Sequence, residues 1–199
     1  MVVVLEEAGN EGVKIVATDS DVEGVLSRRT RDIEPDEMAL AHEIAHLLKE
    51  AIKPYLPAAG LAAPQIGISR SIFIYSFDRD PKNLEVIINP SFIPLSKECV
   101  EGWEGCLSVL INKKAWKLAY LPRYENIQVT YTSLLGQMVV KNLEGFAAKV
   151  FQHEFDHLQG IVNIFHPQAV VKVFDSKEEL MSFLAEVKKQ DASSYKKPA

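Results

Sequence analysis

The chain has 199 residues, 47% hydrophobic and 25% charged, with a formal net charge of -5. These values are typical of one globular domain, so we expect residues 1–199 to form a single domain with a flexible tail from about residue 190. The acidic charge argues against direct nucleic-acid binding, and no apolar run is long enough to span a membrane. Because the start, Met1 to Glu7, lacks the basic region of a signal peptide, we expect a cytoplasmic protein. Cys99 and Cys106 are then expected to be thiols.

The predicted elements place strands among three helices. Pro35 is suited to open a helix that Pro54 ends, and Ser176 is suited to cap another. Apolar runs between turn residues predict strands, and strands before a core helix without regular alternation indicate the α+β class. In chain order we predict a strand at Val13 to Val16, a helix from Pro35 to Lys53, strands at Ser71 to Phe77, Glu85 to Ile88, Ile127 to Thr132 and Met138 to Asn142, a helix from Gly145 to Gln159 and a helix from Ser176 to Lys189.

Two segments have the His-Glu-x-x-His form, which presents two histidines on one helix face for a metal ion. They are His42-Glu43-Ile44-Ala45-His46 and His153-Glu154-Phe155-Asp156-His157. In such a motif the glutamate can move protons for a metal-bound water. At least one of two such strings is expected to be a coincidence, so their surroundings have to separate them.

The helical wheel favours the second segment as the metal site. With about 100° per residue, the first pair of histidines shares its face with Lys49 and Lys53, which indicates a face open to water. The second pair shares its face with Phe146 and Val150, on a helix that is apolar nearly all round and therefore buried. Buried histidines need partners, because unpaired buried polar groups are costly.

A catalytic metal site usually has a third protein ligand and an open position for water. Upstream, Cys106 follows Gly105, which can present the thiol at a bend, and a thiolate is a soft, strong ligand. Cys99 has no adjacent glycine; spacing alone hardly ranks the two cysteines, and the glycine favours Cys106. In many zincins the third ligand lies downstream, where the candidates are His166, Asp175, Glu178 and Glu179.

Three segments in this order resemble peptide deformylases, which remove the N-formyl group from new bacterial and organellar polypeptides. They are Gly60-Leu61-Ala62-Ala63-Pro64-Gln65, Glu104-Gly105-Cys106-Leu107-Ser108 and Gln152-His153-Glu154-Phe155-Asp156-His157-Leu158, within residues 34–165. The resemblance implies an α+β fold in which antiparallel strands surround the histidine helix, with an N-terminal and a C-terminal helix. It also implies N-formylmethionyl peptides as substrates and Fe²⁺ as the physiological metal, often replaced by Zn²⁺ or Ni²⁺ after purification.

The resemblance also assigns roles to the matching positions. It implies three metal ligands with water in the fourth position, one proton-transfer group, two oxyanion donors and a pocket for the methionine side chain. Glu104 and Asp156 are candidates to orient the ligands. The ligands would be Cys106, His153 and His157, the general base and acid Glu154, the oxyanion donors the Gln65 side chain and the Leu107 N–H, and the substrate-binding residues Gly60, Phe146, Val150 and Arg123.

The sequence departs from the family pattern beside two of these segments. Ala58 replaces the first glycine of the loop motif. Leu110 to Lys114 follow Val109 where the family usually has proline and glycine, and the stretch up to Pro122-Arg123 is also several residues longer than in the family. No proposed ligand or proton-transfer residue is altered. We therefore expect these departures to affect peptide specificity and rate rather than metal binding.

Two other functions stay open on the sequence, namely a metallopeptidase that cleaves internal bonds and a binding module without turnover. A cysteine ligand upstream of the histidines is unlike common zincins, and an intact Glu154 and Gln65 argue against lost turnover. Some deformylases use their C-terminal region to dock on the ribosome, so the resemblance, together with the lysines of this region, suggests the ribosome as a partner. The apolar face of the last helix is expected to pack on the core. The basic residues in question are Lys188, Lys189, Lys196 and Lys197.

Overall fold

The computed structural model describes residues 13–78, 80–111 and 115–194. Two predictions fall on residues outside these ranges. They are the cytoplasmic location, which was predicted from Met1 to Glu7, and the last part of the expected flexible tail, residues 195–199. Within the described ranges, no helix combines the length and the apolar character that crossing a bilayer requires.

The three predicted helices are confirmed, and a fourth, short one is added. Pro35–Glu37 forms a 3-10 turn in which Glu34 and Glu37 make a reciprocal capping box, and the first long helix follows directly. Ser176 Oγ accepts the Glu179 N–H at 3.1 Å, as predicted for the cap of the last helix. The helices are α1 (Met38–Ile52), α2 (Leu107–Leu110), α3 (Gly145–Leu158) and α4 (Lys177–Ser194).

The strands form two antiparallel sheets, which confirms the α+β class. The larger sheet has five strands in the order β1-β2-β3-β6-β7, and the smaller has three in the order β4-β5-β8. The strands predicted at Ile127 to Thr132 and Met138 to Asn142 are the antiparallel pair β6–β7. The strands are β1 (Gly60–Ala62), β2 (Ile72–Tyr75), β3 (Glu85–Pro94), β4 (Cys99–Glu104), β5 (Trp116–Tyr124), β6 (Asn126–Thr132), β7 (Met138–Glu144) and β8 (Val170–Phe174).

One predicted strand is wrong, because residues 13–16 join neither sheet. Together with the residues that follow it, this segment instead contacts the 3-10 turn after β1 and the short helix α2 after β4. The Val16 N–H donates to the Gln65 carbonyl at 2.8 Å, and the Thr18 N–H donates to the Ser108 carbonyl at 2.9 Å. This part of the chain therefore joins two elements that are distant in sequence.

Helix α3 lies between the sheets, as the resemblance implied, and contacts strands of both. Phe151 fixes it to the larger sheet through edge-to-face contacts with Phe73 and Tyr75, at centroid distances of 5.3 and 6.1 Å. Each such pair adds about 0.5–1.5 kcal/mol beyond the burial of area. With this face of the helix fixed on the larger sheet, His153 and His157 are directed toward the β4–α2 connection.

The first His-Glu-x-x-His segment lies on α1 with its histidines exposed, as predicted. His42 and His46 are open to solvent, while Ile44, Ala45 and Leu48 are buried against the core. This segment is an ordinary amphipathic helix face.

Candidate metal centre and active site

Three predicted ligands meet where β4 ends and α2 begins. Cys106 occupies the connection between these two elements, and His153 and His157 project from successive turns of α3. Their ligand atoms all lie within 4.8 Å of one another, and Cys106 Sγ is 3.3 Å from His157 Nε2. His157 and Cys106 are each 1% exposed, so the cluster is buried.

The donor set fits a transition-metal ion. Metal bonds of about 2.3 Å to sulfur and 2.0–2.1 Å to nitrogen in a tetrahedron separate neighbouring ligand atoms by about 3.3–3.6 Å. The observed separations reach this range with small side-chain movements. One thiolate with two imidazoles suits zinc or iron rather than magnesium or calcium. The other cysteine candidate, Cys99, is exposed on β4 and takes no part in the cluster.

Glu104 orients one of the histidines. Its Oε2 lies 2.9 Å from His153 Nδ1, which leaves the other ring nitrogen, Nε2, facing the cluster. Burial favours the neutral acid, but hydrogen bonds from His153 and Arg123 hold the pKa of Glu104 well below its usual value. The carboxylate is therefore ionised and fixes the tautomer of the histidine, as in other carboxylate–histidine–metal arrangements.

Arg123 lies beneath the site rather than in the substrate cavity. Its Nε and Nη2 each donate to a Glu104 oxygen at 3.0 Å, and its Nη1 donates to Asp156 at 2.5 Å. Its side chain is 6% exposed, and it is absent from the cavity lining. The structure thus places this predicted substrate-binding residue in a buried ion-pair network, because two carboxylates take up its guanidinium.

A cavity of about 110 Å³ opens beside the cluster, far larger than the 10–15 Å³ that one water needs. It brings Gly60, Phe146 and Val150 together with the catalytic candidates, as the sequence predicted. The lining residues are Ala58, Ala59, Gly60, Gln65, Trp103, Glu104, Gly105, Cys106, Leu107, Phe146, Lys149, Val150, His153 and Glu154.

Glu154 is a buried carboxyl with an unusual pKa. Burial raises its pKa to about 7, although the neighbouring His153 opposes the shift. Its Oε2 has no hydrogen-bond partner among the described residues. Gly60 approaches it so closely that a Cβ at this position would lie 2.5 Å from Glu154 Oε1. A carboxyl of this kind can take up and release a proton near neutral pH.

Gln65 directs its amide toward the cluster. Its Oε1 accepts the Ala62 N–H at 2.9 Å, which fixes the orientation of the side chain. Its Nε2 lies 3.2 Å from Ser108 Oγ and 3.6 Å from Cys106 Sγ. Leu107 is the first residue of α2, so its N–H has no partner within that helix. Both predicted oxyanion donors therefore lie next to the predicted ligands.

Sequence reasoning missed Ser108 and Lys149 as parts of the site. Ser108 belongs to one of the three segments that resemble the family. Its contact with Gln65 joins elements far apart in the chain, so the sequence does not reveal it. Lys149 could have been found, because it lies four residues before His153 on α3 and so shares the face of the histidines.

Comparisons with known proteins agree with this geometry. The sequence model of the family described as "Polypeptide deformylase" matches residues 13–172. Peptide deformylase 2 of Ralstonia nicotianae is 37% identical over 145 residues, which are 68% of this chain and 79% of the relative. The peptide deformylase of Thermotoga maritima is 34% identical over 140 residues, which are 70% and 79% of the two chains.

Solved structures show the same fold. The crystal structure of the Thermotoga maritima enzyme superposes with a TM-score of 0.66 at 32% identity, covering 78% of this chain and 97% of that one. The Met-Ala-Ser-bound class I type b peptide deformylase of Acinetobacter baumannii gives a TM-score of 0.66 at 28% identity, covering 78% and 99%. The chain therefore belongs to the polypeptide deformylase family, the metal-dependent hydrolases that deformylate nascent peptides.

Proposed function

We propose that this protein hydrolyses the formyl amide of N-formylmethionine at the start of nascent polypeptides and releases formate. The observation that carries the proposal is the meeting of a Cys-His-His cluster, a buried glutamate and a fixed glutamine amide in one cavity. The Met-Ala-Ser bound to the Acinetobacter baumannii relative supports a substrate of this kind.

We further propose that Cys106, His153 and His157 hold Fe²⁺ in the cell, with Zn²⁺ or Ni²⁺ able to take its place. Such an ion supplies Lewis acidity that activates water and the formyl oxygen near neutral pH. Glu104 keeps its ligand histidine in the required tautomer, and Arg123 keeps Glu104 ionised. Arg123 is thus a positioning residue in this proposal.

Glu154 acts as the proton-transfer residue. Its carboxylate takes a proton from the attacking water, whose oxygen bonds to the formyl carbon. The same proton then goes to the amide nitrogen as the C–N bond breaks, so that formate and a free amine leave. A pKa raised to about 7 by burial suits a group that must serve as both base and acid.

Gln65 Nε2 and the Leu107 N–H stabilise the negative charge that develops on the formyl oxygen. Each donor of this kind lowers the activation free energy by about 3 kcal/mol. The hydrogen bond from Ala62 fixes Gln65 before substrate arrives, so little reorganisation is needed. Gly60 lets the substrate backbone approach, and Phe146 and Val150 form part of the pocket for the first side chain.

We propose a cytoplasmic location, where nascent chains emerge, and the ribosome as a partner of the C-terminal basic residues. On α4, Phe183 packs on Trp103 and Phe174, which leaves the exposed Lys188 and Lys189 for such a contact. Co-sedimentation with ribosomes tests this partner for the intact chain, for a chain truncated before Ser193, which lacks Lys196 and Lys197, and for a Lys188→Met, Lys189→Met double variant. Equal binding of all three proteins would remove the C-terminal lysines from the proposal.

Formate release from N-formyl-Met-Ala-Ser by anaerobically prepared, iron-loaded protein tests the activity. The chain offers a matched control, because Glu43 occupies the same place in the first motif as Glu154 in the second. We expect Glu154→Ala to abolish turnover and Glu43→Ala to retain it. Absence of formate from the unaltered protein with metal bound would reject the proposal.

A further inference from the structure

One wall of the cavity carries a cation. Lys149 lines the cavity together with apolar side chains, including Phe146 and Val150 from the same helix and Leu107 from the opposite side. Its side chain is 29% exposed, so part of it is open to solvent. On this face of α3 its neighbours Phe146 and Val150 are apolar, and a charged group beside them is costly unless it has hydrogen-bond partners.

The surroundings of Lys149 are shaped to hold its ammonium group. Nζ donates to the Trp103 carbonyl at 3.2 Å and lies 4.0 Å from Glu104 Oε1. The backbone beneath it is Gly102, where a Cβ would lie only 2.7 Å from Nζ. A larger residue at this position would push the ammonium group away. The glycine therefore creates the space that Nζ occupies.

The position of Lys149 relates it to the first side chain of a substrate. It lies four residues before His153 on α3, about 6 Å along the helix axis. If the proposed function is correct, the cleaved amide lies at the cluster and the side chain of the first residue extends along this part of the wall. The end of that side chain, rather than the amide, then comes near Nζ.

We propose that Lys149 is a specificity-determining residue, which favours formyl peptides whose first side chain carries an oxygen acceptor near its end. An apolar first side chain takes water away from the ammonium group without replacing its hydrogen bonds. An oxygen acceptor replaces them, since an ammonium group has three donors and can exchange one contact for another. Methionine sulfoxide has nearly the shape of methionine and adds such an oxygen, so it is the probe that isolates this effect.

Calorimetric binding of two product peptides to the metal-loaded protein tests this proposal. The peptides are Met-Ala-Ser and the same tripeptide with methionine sulfoxide at the first position. We expect the preference for the sulfoxide over methionine to fall about tenfold in Lys149→Met, the loss of one hydrogen bond to a charged group. Lys149→Arg should keep most of the preference, and Lys188→Met, an exposed lysine on α4, should leave it unchanged.

Gly102→Ala provides a second variant. Here only the end of a flexible side chain has to move, so the protein should stay folded while Nζ leaves its place, and the preference should fall as in Lys149→Met. An unchanged preference in both variants would overturn the proposal. Since binding of the products requires no turnover, this outcome is distinguishable from failure of the proposed function, which would appear as no formate from N-formyl-Met-Ala-Ser.

Discussion

Replacing Arg123 by methionine should destabilise the protein far more than the loss of an exposed ion pair would. Met keeps most of the length of the side chain and removes the charge. Arg123 makes two hydrogen bonds of 3.0 Å to Glu104 and one of 2.5 Å to Asp156, and its side chain is 6% exposed. The substitution therefore leaves two carboxylates in a site with little water.

Removing one partner of a buried pair costs about 3–5 kcal/mol. Glu104 keeps its contact with His153, and Lys149 lies 4.0 Å away, so we expect the lower end, about 3 kcal/mol. For a protein of this length each kcal/mol lowers Tm by about 2–4 °C, which gives a fall of about 6–12 °C.

Arg70 is the matched control. It makes the same two-pronged contact with Glu37, at 2.8 Å for both nitrogens, but the two side chains are 15% and 27% exposed. Arg70→Met should cost much less than Arg123→Met, because water screens the pair and solvates the carboxylate that remains.

Thermal and urea unfolding of the unaltered protein, Arg123→Met and Arg70→Met measure this difference in stability. The samples are metal-free, so that altered metal binding does not contribute to the result. Equal losses in the two variants, or a loss below about 1 kcal/mol in Arg123→Met, would refute the argument from burial.

Three further substitutions test the roles of site residues in activity, stability and metal binding. Gly60→Ala should lower kcat about 100-fold with little change in Tm, because the new Cβ, at 2.5 Å from Oε1, displaces the flexible end of Glu154 and not the backbone; an equal fall in stability would contradict this. Gln65→Ala should lower kcat about 100-fold and also destabilise the protein by about 1–3 kcal/mol, since its Oε1 accepts a buried backbone N–H; formate-release kinetics and thermal unfolding check both effects. Glu104→Gln should weaken metal binding about 10–100-fold in a chelator competition, with the exposed Glu101→Gln as control; identical affinities would rule out the orienting role.

The sequence was most informative where the residue pattern within a single element determines its structure. Helix α3 is apolar nearly all round, and its two histidines have few other reasons to lie there, so both the helix and the metal face could be predicted. The same reasoning correctly separated His42 and His46, because Lys49 on their face indicates solvent. The starts of α1 and α4 could be predicted as well, since Pro35 fits the first turn of a helix, where no N–H is needed, and Ser176 caps the other helix through a local hydrogen bond.

Features that depend on contacts between distant segments could not be predicted in this way. The strands β4 and β8 are mostly exposed and show no alternation of apolar and polar residues, so these two strands of the smaller sheet left no periodic signal. Arg123 was assigned to substrate binding because nothing local reveals that Glu104 and Asp156 enclose it. Cys106 could be favoured over Cys99 from an adjacent glycine, yet its distance to His157 is set by the folded chain.

The measurement that tests the central claim most directly is formate release from N-formyl-Met-Ala-Ser during an anaerobic titration of metal-free protein with Fe²⁺. The account predicts a rate that rises with added iron and levels off at one equivalent per chain. Cys106→Ser should stay near the baseline, whereas Cys99→Ser should follow the unaltered protein, since only the first thiol belongs to the cluster. Formate release without iron, or the same titration curve for both variants, would contradict the account.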